Sequence, residues 1–243
     1  MNAYNSFSEL LFTCVNGPKK EIVNLMLTAF NKPTPSDVEQ ALLAGAKEVQ
    51  VIENGAPKVY RCGDALPPRN SSIQYFAKEV PLDFSLGYVD YAERDTTKEQ
   101  RMVFWEPRLH PATTAFMGCF SDGIECSRFS LDSPFTWVSV RIYNDPDYPG
   151  CFFDYYADHR KVLRRLMACK DEEGWDFAQE GSVQPFENPD YYGKRLKKDR
   201  LNREIITEYM ERLGYMIAQD GFWETDKPAY FLWQERPKVQ NEG

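Results

Sequence analysis

Residues 137–143 read WVSVRIY, and their alternation decides the fold class. Val138, Val140 and Ile142 fall on one side of an extended chain, and Ser139 and Arg141 on the other, because successive strand side chains point to opposite faces. A strand with one buried and one wet face suits an antiparallel sheet. Further strands are read on both sides of it. Upstream, IQYFAKEV (73–80), FSLGYVDYAE (84–93), RMVFWEP (101–107) and TTAFMGCF (113–120) read as strands. Downstream, CFFDYYADH (151–159), KVLRRLMAC (161–169) and WDFAQEG (175–181) do so, with AYFLWQE (229–235) as the last strand. Between them, NDPDYPG (144–150) punctuates the backbone with Asn, Asp, Pro and Gly, and ERDTTKEQ (93–100) reads as a hairpin tip.

The first sixty residues have a different texture. After Pro18, the spacing of Ile22, Val23, Met26, Leu27 and Phe30 predicts a helix. Ser36 and Glu39 form a capping-box pattern ahead of Ala41, Leu42 and Leu43, which predicts a second, short helix ending at Gly45. EVQVIENGAPKVYRC (48–62) reads as a hairpin turning at Asn54-Gly55. Helices, then antiparallel strands, then a C-terminal helical segment before a last strand give an α+β fold, mostly antiparallel β-sheet. The loop DALPPRNSS (64–72) leaves room for a small N-terminal lobe over residues 1–65. No boundary is drawn there, and the expectation is a single domain over 1–243.

Composition narrows the function. Asp plus Glu number 37 against 29 Lys plus Arg, a formal charge of −8, so the broad basic footprint of a nucleic-acid binder is missing. An acidic field instead suits a basic protein partner. The amino terminus MNAYNSFSELLFTCVNG has no basic segment, long apolar stretch or cleavage site of a secretory signal, and no window is apolar enough to span a membrane. Six cysteines without a C-x-x-C read as reduced thiols. These features together predict a cytoplasmic protein.

The motifs of common chemistries are missing too. The two histidines, His110 and His159, lack the company that zinc needs, and Cys119 and Cys126 have no partner pair. There is no G-x-S-x-G elbow and no Gly-rich phosphate cradle. No catalytic residue, metal or cofactor is therefore assigned, and an enzyme is not expected. One stretch stands out. NDPDYPGCFFDYYADH (144–159) carries Asp145, Asp147, Asp154 and Asp158 with Tyr148, Tyr155 and Tyr156, and no Lys or Arg. Carboxylates with tyrosines make a dock for a basic protein, the rings anchoring and the acids meeting Lys or Arg. The alternative is acid–base or metal chemistry on the carboxylates, as in a hydrolase or nuclease-like enzyme.

NPDYYGKRLKKDRLNREIITEYMERLG (188–214) is the one basic run. Asn188, Pro189 and Asp190 fit a helix start, which would place Tyr192 and Leu196 on one face and the lysines and arginines on the other. Ile205, Ile206, Tyr209, Met210 and Leu213 then predict a second helix stopped at Gly214. The run reads as the wet rim of helices packed on the sheet rather than as a nucleic-acid arm.

Its surroundings resemble the C-terminal part of bacterial immunity proteins that neutralise interbacterial toxins. The likeness rests on Trp175, Phe177 and Gly181 of a strand, on Pro185, Phe186 and Glu187, and on Tyr192, Arg195, Arg200 and Leu201. It continues through Ile205, Tyr209, Leu213 and Gly214. TAFMGCFSDG (114–123) is similar to an upstream strand and turn of such proteins. The resemblance implies a cytosolic, non-enzymatic protein that binds one cognate toxin. Because immunity proteins vary most where they touch their toxins, it implies no particular contact residue. Oligomeric state is left open.

Overall fold

The computed structural model describes residues 9–31, 47–53, 56–61, 74–86, 101–119, 134–156 and 162–235. Strand β1 (Glu9–Asn16) is followed by helix α1 (Lys19–Asn31) and a separate hairpin, β2 (Glu48–Glu53) with β3 (Ala56–Arg61). Next come β4 (Gln74–Val80), β5 (Arg101–Trp105), β6 (Thr113–Cys119), β7 (Trp137–Tyr143), β8 (Gly150–Tyr156), β9 (Val162–Asp171) and β10 (Gly174–Gly181). Helix α2 (Arg203–Arg212) and β11 (Ala229–Glu235) complete the chain. The main sheet has nine strands in the order β10-β9-β8-β7-β1-β6-β5-β11-β4, with every pairing antiparallel. The α+β architecture expected from the alternation is thus the observed one.

Both faces of the sheet are covered, by different parts of the chain. On one face Leu10, Phe12, Val138, Val140, Ile142, Phe153 and Leu166 are buried under the segment from Phe186 to Trp223. Ile205, Ile206, Tyr209 and Met210 of α2 face inward there, each apolar side chain contributing roughly 1.5–3 kcal/mol by leaving water. On the other face Val15, Met102, Phe104, Phe116 and Leu232 pack against Ile22, Val23 and Met26 of α1. The middle of the sheet is therefore dry on both sides. That explains β1: ELLFTCVN has apolar residues at successive positions because Leu10, Phe12 and Cys14 enter one core and Val15 the other. It inserts between β6 and β7 as a central strand.

Several expectations are refined. FSL (84–86) is a 3-10 turn and not the start of a strand, because the Asp83 carboxylate accepts hydrogen bonds from the Ser85 amide (2.9 Å) and hydroxyl (2.7 Å) and curls the chain. The helix expected from Asn188 is a single 3-10 turn, Pro189–Gly193, followed by another at Lys197–Asp199. Asn188 does cap the first turn by accepting from the Asp190 amide (3.2 Å). Lys194 then turns extended, while the Tyr192 ring stacks on Phe177 at 5.6 Å. Leu196 consequently lies 43% exposed instead of sharing an apolar face with Tyr192. The expected second helix (36–45), the Asn54-Gly55 turn, the loop at 64–72 and the tip at 93–100 lie outside the described residues.

Candidate functional site

The acidic, tyrosine-bearing stretch is the β7–β8 hairpin, and the hairpin divides it into three environments. The turn comes first. The Asp145 Oδ1 accepts from the amides of Asp147 (2.8 Å) and Tyr148 (2.9 Å), a side chain standing in for a backbone turn partner. The Pro149 carbonyl accepts from the Lys170 amide (2.9 Å), tying the turn to β9. Gly150 follows because a Cβ there would lie 3.0 Å from the Phe152 ring and 3.2 Å from the Cys169 Cβ. Asp147 is exposed on this fixed turn, and Tyr148 is 57% exposed, the most exposed large apolar side chain among the described residues.

The strand itself separates the rest by face. Tyr155 points into the core and packs edge-on against Phe186 at 5.4 Å. Asp154 and Tyr156 point to the opposite face, four to six residues beyond Gly150, so Asp154 lies about 13 Å along the strand from the turn. Asp154 is buried, and two arginines hold it: Arg141 Nη2 donates to Oδ2 at 3.0 Å, and Arg165 Nε donates to Oδ1 at 2.9 Å. Arg165 also reaches Glu180 (3.1 Å) and the Tyr156 hydroxyl (2.9 Å). The Arg141 guanidinium rests over the Phe152 ring at 4.6 Å, and Tyr156 stacks flat on Trp137 at 4.1 Å. Burial, then the Asp154 charge, pushes the Tyr156 phenol up. The neighbouring strands thus supply the cations that the stretch lacks, so Asp154 is neutralised where it stands. Asp158 lies outside the described residues. Of the seven residues singled out, Asp145, Asp147 and Tyr148 share the turn, Asp154 and Tyr156 share a charged network, and Tyr155 belongs to the core.

A second network, on the other face, is not among those residues. Arg164 is 2% exposed. Its Nε donates to Glu187 Oε2 (3.0 Å), Nη1 to the Gly181 carbonyl (2.7 Å) and Nη2 to Gln179 Oε1 (2.7 Å). The second oxygen of Glu187 accepts from the Gln184 amide at 2.7 Å. Tyr192 donates to Glu187 and meets the Tyr209 hydroxyl at 3.0 Å. Burial, then the Glu187 carboxylate, pushes the Tyr192 phenol up, and burial does the same for Tyr209. Gly181 adopts φ +82°, and a Cβ there would stand 2.2 Å from the Leu163 carbonyl oxygen, so only glycine fits. The network clamps the segment from Gln184 to Tyr209 onto β9 and β10, and nearly every donor in it is met by an acceptor. One signal in the sequence points to it: with Leu166 and Ala168 inward, alternation in VLRRLMA turns Arg164 inward as well, where it needs a carboxylate.

Among the described residues, no group of three or more His, Cys, Asp and Glu is placed to share a metal ion. His110 joins the β5–β6 turn to the C-terminal layer, its Nε2 accepting from the Met216 amide at 3.1 Å, and burial pushes its pKa down. Cys14, Cys151 and Cys169 carry free thiols; burial pushes Cys14 well up and Cys151 up to about 12, which leaves both as poor nucleophiles at neutral pH. No helix among the described residues is long and apolar enough to cross a membrane. No family model, curated protein or solved structure matches the chain.

Proposed function

We propose that this chain is a non-enzymatic, cytoplasmic immunity-type protein that binds a cognate bacterial toxin and neutralises it by protein–protein contact. The β7–β8 turn is its leading contact element. The observation that carries this reading is the turn's preorganisation: the Asp145 carboxylate and the Pro149–Lys170 bond fix a loop whose outward groups are a tyrosine ring and a carboxylate. A tyrosine held in place loses little entropy on burial and is a common anchor of interfaces, and an exposed carboxylate beside it suits a basic partner surface. The 175–214 segment, on which the resemblance to immunity proteins rests, forms the clamp and α2, and that agrees with a scaffold that holds a variable contact surface in place.

Co-expression with the product of the adjacent coding sequence tests the reading. The wild-type chain should restore growth of cells producing that product and should co-purify with it, while Asp147→Lys with Tyr148→Ala should restore neither. Growth that stays blocked with the wild-type chain, or protection that survives the double substitution, would overturn respectively the function or the assignment of the turn.

A further inference from the structure

The basic run singled out in the sequence has its own place in the fold. Across the two 3-10 turns, Pro189–Gly193 and Lys197–Asp199, residues 193 to 198 are exposed in succession. Lys194, Arg195, Lys197 and Lys198 flank Leu196, an exposed apolar side chain at the centre of the loop. The loop is held in place. Arg200 Nε donates to the Lys194 carbonyl at 2.8 Å, its guanidinium lies over the Phe177 ring at 5.6 Å, and Leu201 follows it into the core. Lys197 donates to Asp176 at 3.0 Å, and the Lys194 ammonium lies over the Tyr191 ring at 4.5 Å. Arg195 and Lys198 meet no partner among the described residues.

Strand register sets this loop beside the β7–β8 turn. Asp176, which holds Lys197, stands opposite Cys169 of β9, and Cys169 stands opposite Gly150 at the foot of the turn. Two strand spacings separate Asp176 from Gly150, about 10 Å. The turn between β9 and β10 lies at the same end of the sheet and carries exposed Glu172 and Glu173. This end of the molecule therefore changes sign over a short distance, from carboxylates on two turns to cations around an exposed leucine. A polyanion that met the cations, such as nucleic acid or an anionic membrane, would be repelled by the carboxylates next to them. A protein surface can carry both signs, and matched charge patterns fix its register. The β7–β8 turn is also small beside a standard interface, which buries about 800 Å² and roughly 20–30 residues on each side. A contact centred on the turn thus extends to its neighbours. We infer that loop 194–198 is a second contact element of the same surface, taking an acidic patch with an apolar socket for Leu196 on the partner that the β7–β8 turn engages. The inference rests on the toxin-binding reading and adds the partner's charge pattern: a basic patch for Asp147 and an acidic one on the order of 10 Å away.

Binding kinetics of the full chain against the purified product of the adjacent coding sequence test it. Lys198→Glu and Lys20→Glu make the same charge change at exposed positions, one in the loop and one on α1, which packs on the opposite face of the sheet. Lys198→Glu should weaken binding about tenfold, mostly through slower association, and the difference should shrink as salt is raised. Its unfolding midpoint should not move, because the side chain is exposed. Lys20→Glu should leave the affinity within about twofold. Leu196→Asp should instead speed dissociation, by about tenfold or more. Suppose that Asp147→Lys with Tyr148→Ala abolishes binding while Lys198→Glu and Leu196→Asp bind as the wild type does, or that Lys20→Glu weakens binding as much as Lys198→Glu. Either result overturns the inference and leaves the turn assignment standing. A wild type that does not bind overturns the toxin reading and this inference with it.

Discussion

Arg164 and Arg165 are neighbours in β9 and do opposite things. Alternation turns Arg164 into the core, where it is closed off with Glu187, and turns Arg165 to the other face, where its side chain is 45% exposed and shares Asp154 with Arg141. Both are arginine–carboxylate pairs at about 3 Å. The difference is water. A buried pair that loses one member leaves a charge that no solvent can reach, whereas a half-exposed guanidinium that loses its partner turns to water. The first network therefore acts as a clamp for the C-terminal layer, and the second as an adjustable polar surface.

The contrast can be broken most sharply at Glu187. Glu187→Gln removes the charge while keeping the shape, and it should cost about 3–5 kcal/mol of folding stability by stranding Arg164, read as a lowered denaturant midpoint. Asp154→Asn makes the same change between two part-exposed arginines, which water can reach, and should cost only about 1 kcal/mol. Equal losses in the two variants would refute the distinction between clamp and surface. A smaller effect comes from His110. Its folded pKa lies below its unfolded value of about 6.5, because burial disfavours the charged ring and Nε2 is needed as an acceptor. The unfolded chain therefore binds the proton more readily, so the His110 contribution is intact above the unfolded pKa and is lost as pH falls below it and through the folded one. His110→Gln should flatten the pH dependence of the unfolding midpoint across that window; an unchanged slope would show that this contact does not titrate with folding.

The sheet was legible because apolar, β-branched and aromatic runs bounded by turn residues mark its strands: WVSVRIY, RMVFWEP and KVLRRLMAC each contain one. The central strand β1 was not, since a strand buried on both faces loses its period-two signature and reads as a plain apolar run. The 3-10 turns after Asn188 failed differently. Local rules for a helix start were satisfied, and tertiary contacts of Tyr192 with Glu187 and Phe177 overrode them. At the candidate site, the acidic stretch was visible as composition, but its division among turn, polar face and core depends on strand register and on cations from β7 and β9. Asp154 looks like Asp147 in the sequence, and only the sheet places Arg141 and Arg165 around one and water around the other.

The most direct test of the account is a titration of the wild type and Tyr148→Ala against the purified product of the adjacent coding sequence. The wild type should bind tightly, and the variant should lose about 2 kcal/mol of binding, roughly 30-fold in affinity, with its unfolding midpoint unchanged because the ring touches solvent rather than core. No binding by the wild type, or equal binding by both proteins, would contradict it.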